Sequence, residues 1–138
     1  MAYSRTQLRP AVQLVLAAAL PQLSVEVDDR SGDLAKRLEA AVVADGAVIL
    51  VTPFLRTVAT SSPGRRRLDE RATLQAIVRK NPTASAIDLE ATVSAVISAL
   101  LASDLGAEFT ADECVTFDPD DAGFFTYRIT FTVPLTTS

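Results

Sequence analysis

Acidic side chains cluster in one stretch of the chain with a spacing that invites comparison with a calcium loop. Asp118, Asp120 and Asp121 lie close together, and carboxylate oxygens at alternate positions are ligands that Ca²⁺ accepts. The twelve-residue EF-hand pattern also needs an oxygen ligand where Ala122 stands and a bidentate acid where Ile129 stands. Because neither residue can supply one, we predict a solvated hairpin turn and no metal site.

Other residue types offer little for catalysis. Two carboxylate pairs, Asp28 with Asp29 and Asp112 with Glu113, have the chemistry for acid–base work, but nothing in the sequence brings either pair to a pocket. The chain contains no histidine, which removes His-based proton transfer, His-activated nucleophiles and the commonest zinc ligand. Cys114 is therefore expected to be a small core residue. We predict a protein without catalytic residues, metal or cofactor.

Arginines form the most distinctive charged group. The predicted interface residues of this region are Arg65, Arg66, Arg67, Asp69, Arg71 and Arg79. Guanidinium groups bind phosphate or carboxylate through several planar donors, so the group is open to three interpretations: a solvated turn, intersubunit salt bridges, or contact with a nucleic-acid backbone. No aromatic residue lies between positions 55 and 108 to stack a base, and the adjacent acids favour protein contacts.

Composition limits the class of protein. A chain of 138 residues fits a single domain, residues 1–138. Its net charge of −4 argues against binding phosphate backbones by bulk electrostatics, while an apolar content of 49% favours a buried subunit interface. The single cysteine excludes an internal disulfide. The apolar run at 11–20 is too short to span a bilayer, and we predict a cytoplasmic protein without membrane contact.

Helical and strand patterns alternate along the first half of the chain. Apolar residues recur at helical spacing over 8–19, and a short strand is predicted at 24–27. A second helix is predicted over 33–44, with Gly46 as its C-terminal stop. The β-branched run at 47–52 predicts a buried strand, whose hydrogen-bond ladder Pro53 interrupts.

A long strand at 67–80 is the central prediction. Ala72, Leu74, Ala76 and Val78 alternate on one face. At 3.3 Å per residue the strand would extend about 45 Å, longer than is usual in a small domain. Paired with residues 55–61 across a turn at 62–64, it predicts a hairpin whose outer half projects beyond the core. A neighbouring subunit is one way to cover such a projection.

The remaining elements complete an α+β pattern. An amphipathic helix is predicted over 88–101, capped by Ser85 or Asp88. Its apolar stripe comprises Ile87, Leu89, Val93, Val96, Ile97, Leu100 and Leu101. Strands at 113–117 and 124–133 follow, joined by a turn at 118–123. We therefore expect a mainly antiparallel sheet with a long β-hairpin and two to three helices packed on it.

This order of elements resembles tailed-phage tail terminator and tail-completion proteins. The matching residues are the strand at 70–80 with the helix at 88–101, and the closing strand at 125–131 after an acidic, glycine-containing turn. The likeness covers most of the chain in layout and includes no short motif. It implies a small α+β subunit, without catalytic residues, that forms a ring, often six-fold, capping the tail tube and joining it to the neck.

We accordingly expect a noncatalytic phage or prophage structural protein, assembled in the host cytoplasm and located in the tail or neck of the virion. The expected partners are copies of itself, the tail tube protein and neck or head-completion proteins. Sequence does not separate this function from that of a head-completion or neck adaptor. A small nucleic-acid-binding accessory module using Arg65, Arg66 and Arg67 is the other alternative.

Overall fold

The computed structural model describes residues 3–28, 32–52, 56–61, 68–81, 88–109, 115–119 and 125–135. The helices in these ranges are α1 (Arg5–Ala19), α2 (Leu34–Asp45) and α3 (Leu89–Ala102). The strands are β1 (Ser24–Val27), β2 (Ala47–Val51), β3 (Arg56–Ser61), β4 (Leu68–Lys80), β5 (Val115–Pro119) and β6 (Phe125–Leu135).

The described strands form one sheet, in the order β1-β2-β4-β6-β5, with β3 also paired to β4. β1 runs parallel to β2, and the other pairs are antiparallel. The predicted α+β class and mainly antiparallel sheet are thus confirmed. The strand patterns alone do not predict the parallel pair. It arises because α2 returns the chain from the end of β1 to the start of β2, and parallel neighbours need such a crossover.

β4 is the central strand of the sheet. Ala72, Leu74, Ala76 and Val78 are completely buried, as their alternation predicts. Leu74 lies opposite Phe131 of β6, which is also buried. β6 flanks β4 from Glu70 to Lys80. Little of the strand therefore extends past its neighbour.

One edge of β4 pairs first with β2 and then with β3, and the ladder breaks between them. The last β2 pair is Val51 with Ala76, and β3 resumes at Arg56 opposite Thr73. Across the break, four residues (52–55) on the β2–β3 side therefore lie opposite two residues (74–75) of β4. Thr52 bridges the start of the break: its hydroxyl accepts the Gln75 N–H at 3.0 Å and donates to the Gln75 carbonyl at 3.2 Å. The predicted interruption is confirmed, although Pro53 itself lies outside the described residues.

Helices cover the two faces of the sheet unequally. α1 and α3 pack on one face, where the main core contains completely buried leucines such as Leu8, Leu16 and Leu100. α2 packs on the other face against β1 and β2, through a small cluster of Ala41, Val42 and Val48. Because α2 reaches only this end of the sheet, the β4–β6 part of that face has no helix packed across it among the described elements.

Some helix ends and helix faces agree with the predictions from sequence, and others differ from them. Gly46 ends α2 with a left-handed φ of 83°, as predicted. Asp88 caps α3 by accepting the Ala91 N–H at 3.2 Å, whereas Ser85 lies outside the described residues. Leu101 is 58% exposed, so the predicted apolar stripe is too broad. Leu101 follows Leu100 and is therefore rotated by about 100° around the helix axis, away from the side that faces the core.

The acidic turn is also shorter than predicted. Asp118 and Pro119 belong to β5, where they lie opposite Thr126 and Phe125. The prediction placed both residues in the turn because aspartate and proline are common there. Proline is tolerated because β5 is a terminal strand of the described sheet. Residues 120–124 lie outside the described ranges.

Candidate functional site

The predicted interface residues lie along β4 and before it. Arg65, Arg66 and Arg67 lie outside the described residues, and Asp69 is described through its backbone, which pairs with Thr60. The side chains of Arg71 and Arg79 are described. The strand alternation places both on the same face, eight residues apart, or about 26 Å along an extended strand. They therefore belong to different sites.

Arg71 forms an ion pair within the protein. Its Nη1 atom lies 2.7 Å from Oε2 of Glu108, with both side chains about half exposed. The backbone of Glu108 is held by two 2.9 Å hydrogen bonds with Thr132 of β6. The guanidinium therefore reaches diagonally across β6. Sequence reasoning missed this pair because Glu108 follows 37 positions later, with no pattern linking the two.

We call the face of β4 and β6 opposite α1 and α3 the open face. Its β4 positions are Arg71, Thr73, Gln75, Ile77 and Arg79, and its β6 positions are Thr126, Arg128, Thr130, Thr132 and Pro134. Gln75 donates to the hydroxyl of Thr130 at 3.2 Å across the two strands. Most of these side chains are half-buried rather than exposed. The open face is therefore an ordered, largely uncharged polar surface with arginines at three positions.

A groove lies where the open face meets α2. It has a volume of about 180 Å³. The lining residues are Leu38, Val48, Leu50, Ile77, Arg79, Thr126 and Arg128. Strand pairing arranges six of them in two rows across β2, β4 and β6: Leu50, Ile77 and Arg128 in one, and Val48, Arg79 and Thr126 in the other. The groove is thus apolar towards β2 and α2 and polar towards β6.

α2 is held beside the groove by apolar packing and by ion pairs. Its inner face buries Ala41 and Val42. Arg37 lies 3.6 Å from carboxylate oxygens of Glu26 on β1 and of Asp33 at the start of the helix. Leu38 is the next residue along the helix, so its position as the groove wall depends on these contacts.

Side chains from α1 cover the backbone of the β1 edge. Gln13 donates to the carbonyl oxygen of Val25 at 2.8 Å, and Arg9 donates to that of Asp28 at 3.1 Å. Exposed edge carbonyls are ready sites for pairing with another strand. The contact of Gln13 with Val25 therefore disfavours extension of the sheet at β1, whereas Asp28 follows the strand and donates its own N–H to Val51 of β2 at 2.9 Å.

A second cleft, of about 310 Å³, lies between the end of α1 and the start of α3. Among the described residues that line it, Asp88 is the only charged one, and its carboxylate is engaged in capping α3. Leu20, Leu23 and Ala95 contribute apolar surface. The Thr92 hydroxyl, which also lines the cleft, donates to the Asp88 carbonyl at 2.8 Å, and the described lining offers no second charged group for catalysis.

The candidates for acid–base or metal chemistry do not form a site within the described ranges. Asp28 follows β1 and Asp118 lies in β5, while Asp29, Asp112, Glu113 and Cys114, together with Asp120 and Asp121, lie outside the described residues. No group of three or more His, Cys, Asp or Glu side chains that could hold a metal ion occurs among the described residues.

Tyr3 has a shifted pKa with a structural cause. Its hydroxyl donates to both carboxylate oxygens of Asp104, at 3.0 and 3.1 Å. This hydrogen bond, followed by desolvation and the charge of Asp104, raises the pKa of Tyr3 above its ordinary value. The contact joins the chain before α1 to the chain after α3.

Fold and site together define an α+β protein whose sheet is covered by helices on one face and only partly on the other. Neither protein-family models nor curated protein sequences gave a match to this chain. In the described parts of the chain, no helix combines the length and apolar character needed to cross a membrane.

Proposed function

We propose that this protein is a noncatalytic structural subunit of a phage or prophage, of the tail-terminator or tail-completion type. In this proposal, copies of the chain assemble into a ring, with six subunits as the expected number, that caps the tail tube and joins it to the neck. The family, ring and partners come from the resemblance in element order. The structural observation that supports the proposal most is the open face.

The open face suits contact with another protein. Among the described helices, α2 leaves the β4–β6 region of this face uncovered, although its side chains are half-buried and linked across strands, as Gln75 and Thr130 are. Protein interfaces of moderate polarity combine such surfaces with a few arginines. A subunit that functions by shape-specific assembly needs an ordered surface of this kind and no catalytic group.

Exposed apolar side chains on other elements are consistent with further subunit contacts. Leu14 of α1 is 72% exposed and Val43 of α2 is 75% exposed. Phe117 of β5, half exposed, packs against Tyr127 with ring centroids 5.0 Å apart. Apolar side chains at several separate places suit a subunit with more than one neighbour, as a ring requires.

The proposed working end of the subunit is the β3–β4 hairpin with its arginines. β3 pairs with β4 from Arg56 opposite Thr73 to Ser61 opposite Leu68. We propose that the connection at 62–67, with Arg65, Arg66 and Arg67, reaches a neighbouring subunit or the tail tube. Because Arg71 already pairs with Glu108, its proposed part in that contact is secondary.

Electron microscopy and light scattering of the purified chain, alone and mixed with tail tubes, test this proposal. Rings in solution or on tube ends are the expected result. A particle that stays monomeric and leaves tube ends uncapped would count against it. Binding to head-completion or neck proteins without binding to tubes would instead favour the neck-adaptor function.

A further inference from the structure

We propose that the groove between α2 and the open face binds an acidic peptide segment of another protein, with one bulky apolar side chain in the groove and a neighbouring carboxylate at Arg79 and Arg128. The groove lies at the opposite end of β4 from Arg71. The inference does not depend on ring assembly, and either proposal can fail without the other.

The two arginines are brought together by strand register. Arg79 of β4 lies opposite Thr126 of β6, and Arg128 is two positions further along β6. Diagonal neighbours of this kind are about 7–8 Å apart, within reach of long side chains. Two guanidinium groups so placed repel each other, and a carboxylate between them is attracted to both.

The proposed carboxylate contact does not require an arginine without a partner. Both Arg79 and Arg128 take part in interactions within the chain. A guanidinium has five N–H donors in a fixed plane, so a carboxylate adds to the existing contacts rather than needing a vacant arginine. By strand pairing, the nearest acidic position is Asp118 of β5, which lies opposite Thr126 and diagonal to Arg128. The Thr126 hydroxyl offers one further hydrogen-bonding group beside the arginines.

The other half of the groove selects an apolar group. Leu38 of α2, Val48 and Leu50 of β2 and Ile77 of β4 line it. When an apolar side chain of the ligand enters, these residues lose contact with water, and the favourable free energy is proportional to the apolar area that is buried. The lining of the groove therefore changes from apolar at β2 to cationic at β6. It matches a ligand that is apolar at one end and anionic at the other.

The volume and lining of the groove argue against a nucleotide or a nucleic-acid strand as its ligand. Pockets for drug-sized ligands and cofactors occupy about 300–1,000 Å³, whereas this groove has about 180 Å³. One large side chain fits that volume better than a nucleotide. A nucleic-acid strand would also gain little from the apolar wall, because the described lining residues include no aromatic ring on which a base could stack.

The test uses the full chain labelled with ¹⁵N and a blocked peptide of alternating glutamate and leucine, titrated to about 1 mM. Two peptides of the same length serve as controls, one with glutamine in place of glutamate and one with serine in place of leucine. The expected result is that only the glutamate–leucine peptide shifts the amide resonances of the groove strands, at positions such as Leu50, Ile77 and Arg128. No shift with that peptide, or equal binding of either control peptide, would overturn the proposal.

Arginine variants separate the groove from general charge attraction. Arg79→Ala and Arg128→Ala are each expected to weaken binding of the glutamate–leucine peptide about tenfold or more. Arg71→Ala is the matched control, because it removes the same charge from the same face outside the groove, and it should change affinity by less than about twofold. Equal weakening by Arg71→Ala would overturn the assignment. If a groove variant does not fold, the comparison of the three peptides with the unaltered chain still tests the proposal.

A short single-stranded oligonucleotide provides the last comparison. It is expected to leave the groove resonances unshifted at the concentration at which the peptide saturates them. If it shifts the same resonances at lower concentration than the peptide does, the groove binds nucleic acid and the peptide proposal is wrong.

Discussion

Gln13 of α1 donates a 2.8 Å hydrogen bond to the carbonyl oxygen of Val25 on β1, the strand at one end of the sheet. A helix side chain thus occupies the place that a further strand would take. Gln13→Met keeps side-chain length and helix propensity while removing the donor. We expect a loss of about 1 kcal/mol in the free energy of unfolding, measured by urea denaturation, and more self-association through the β1 edge.

Gln22→Met is the control for this prediction, because Gln22 is exposed. Its effect on stability is expected to stay within about 0.5 kcal/mol. Equal effects of the two substitutions would show that the contact with Val25 contributes nothing measurable.

Thr52→Val tests the hydroxyl at the break in the ladder. Valine has a similar shape but leaves the Gln75 N–H without the acceptor it has at 3.0 Å. Because Thr52 is buried, we expect a loss of about 1–3 kcal/mol in unfolding free energy. Thr52→Ser should recover most of that loss, since it restores the hydroxyl. Chemical denaturation followed by circular dichroism measures both, and a stable valine variant would contradict the assigned role.

Adjacent leucines on α3 should respond very differently to truncation. Leu100 is completely buried, whereas Leu101 is 58% exposed. Leu100→Ala is expected to cost about 2–5 kcal/mol of unfolding free energy, and Leu101→Ala less than about 0.5 kcal/mol. The two variants are matched in chemistry and helix, so the comparison isolates burial. Similar losses in the isolated chain would mean that α3 is rotated from its described position.

Charge reversal at Arg65, Arg66 and Arg67 tests the proposed assembly. Arg65→Glu, Arg66→Glu and Arg67→Glu combined should prevent ring formation or tube capping, because acidic partner groups would be repelled. The melting temperature should change little. Replacing the same three arginines by lysine keeps the net charge and serves as the control. Unchanged assembly of the glutamate variant, seen by electron microscopy, would remove the hairpin from the interface.

Alkaline pH should weaken the contact between Tyr3 and Asp104. The raised pKa of Tyr3 means that folding favours its protonated form. This stabilisation is complete below the ordinary tyrosine pKa of about 10 and is lost as pH rises through the higher folded value. Thermal melts from about pH 8 to 11 should therefore fall more steeply for the unaltered chain than for Tyr3→Phe. Parallel curves would contradict the coupling.

Local patterns account for the elements and the main core. Alternation identifies Leu74 and Val78 as core residues, and helical spacing identifies Val12 and Leu100, because burial of one face imposes a period on the sequence. The cap at Asp88 and the stop at Gly46 follow from short-range hydrogen bonding and a left-handed φ. These features depend on residues close together in the chain.

The candidate sites depend instead on register, which local patterns do not contain. Arg79 and Arg128 share the groove only because β4 pairs with β6 at one particular alignment. Arg71 meets Glu108 for a related reason, since Glu108, which precedes β5 in the chain, pairs with Thr132 of β6. A shift of two residues in the β4–β6 pairing would change both partners while leaving the buried and exposed faces of the strands matched. The sequence therefore singles out Arg71 and Arg79 as members of one charged group, but it does not divide them between an ion pair and a groove, and it does not single out Arg128.

The break between β2 and β3 sets a rule for changes in chain length. Val51 lies opposite Ala76 and Thr57 opposite Ala72, both core positions of β4. Across the break, the β2–β3 side has two residues more than β4. Because two is an even number, odd-numbered positions of both β2 and β3 lie opposite the core positions of β4. Adding or removing one residue between positions 52 and 56 would invert every position of β3. Homologous chains that differ in length at this point should therefore differ by two.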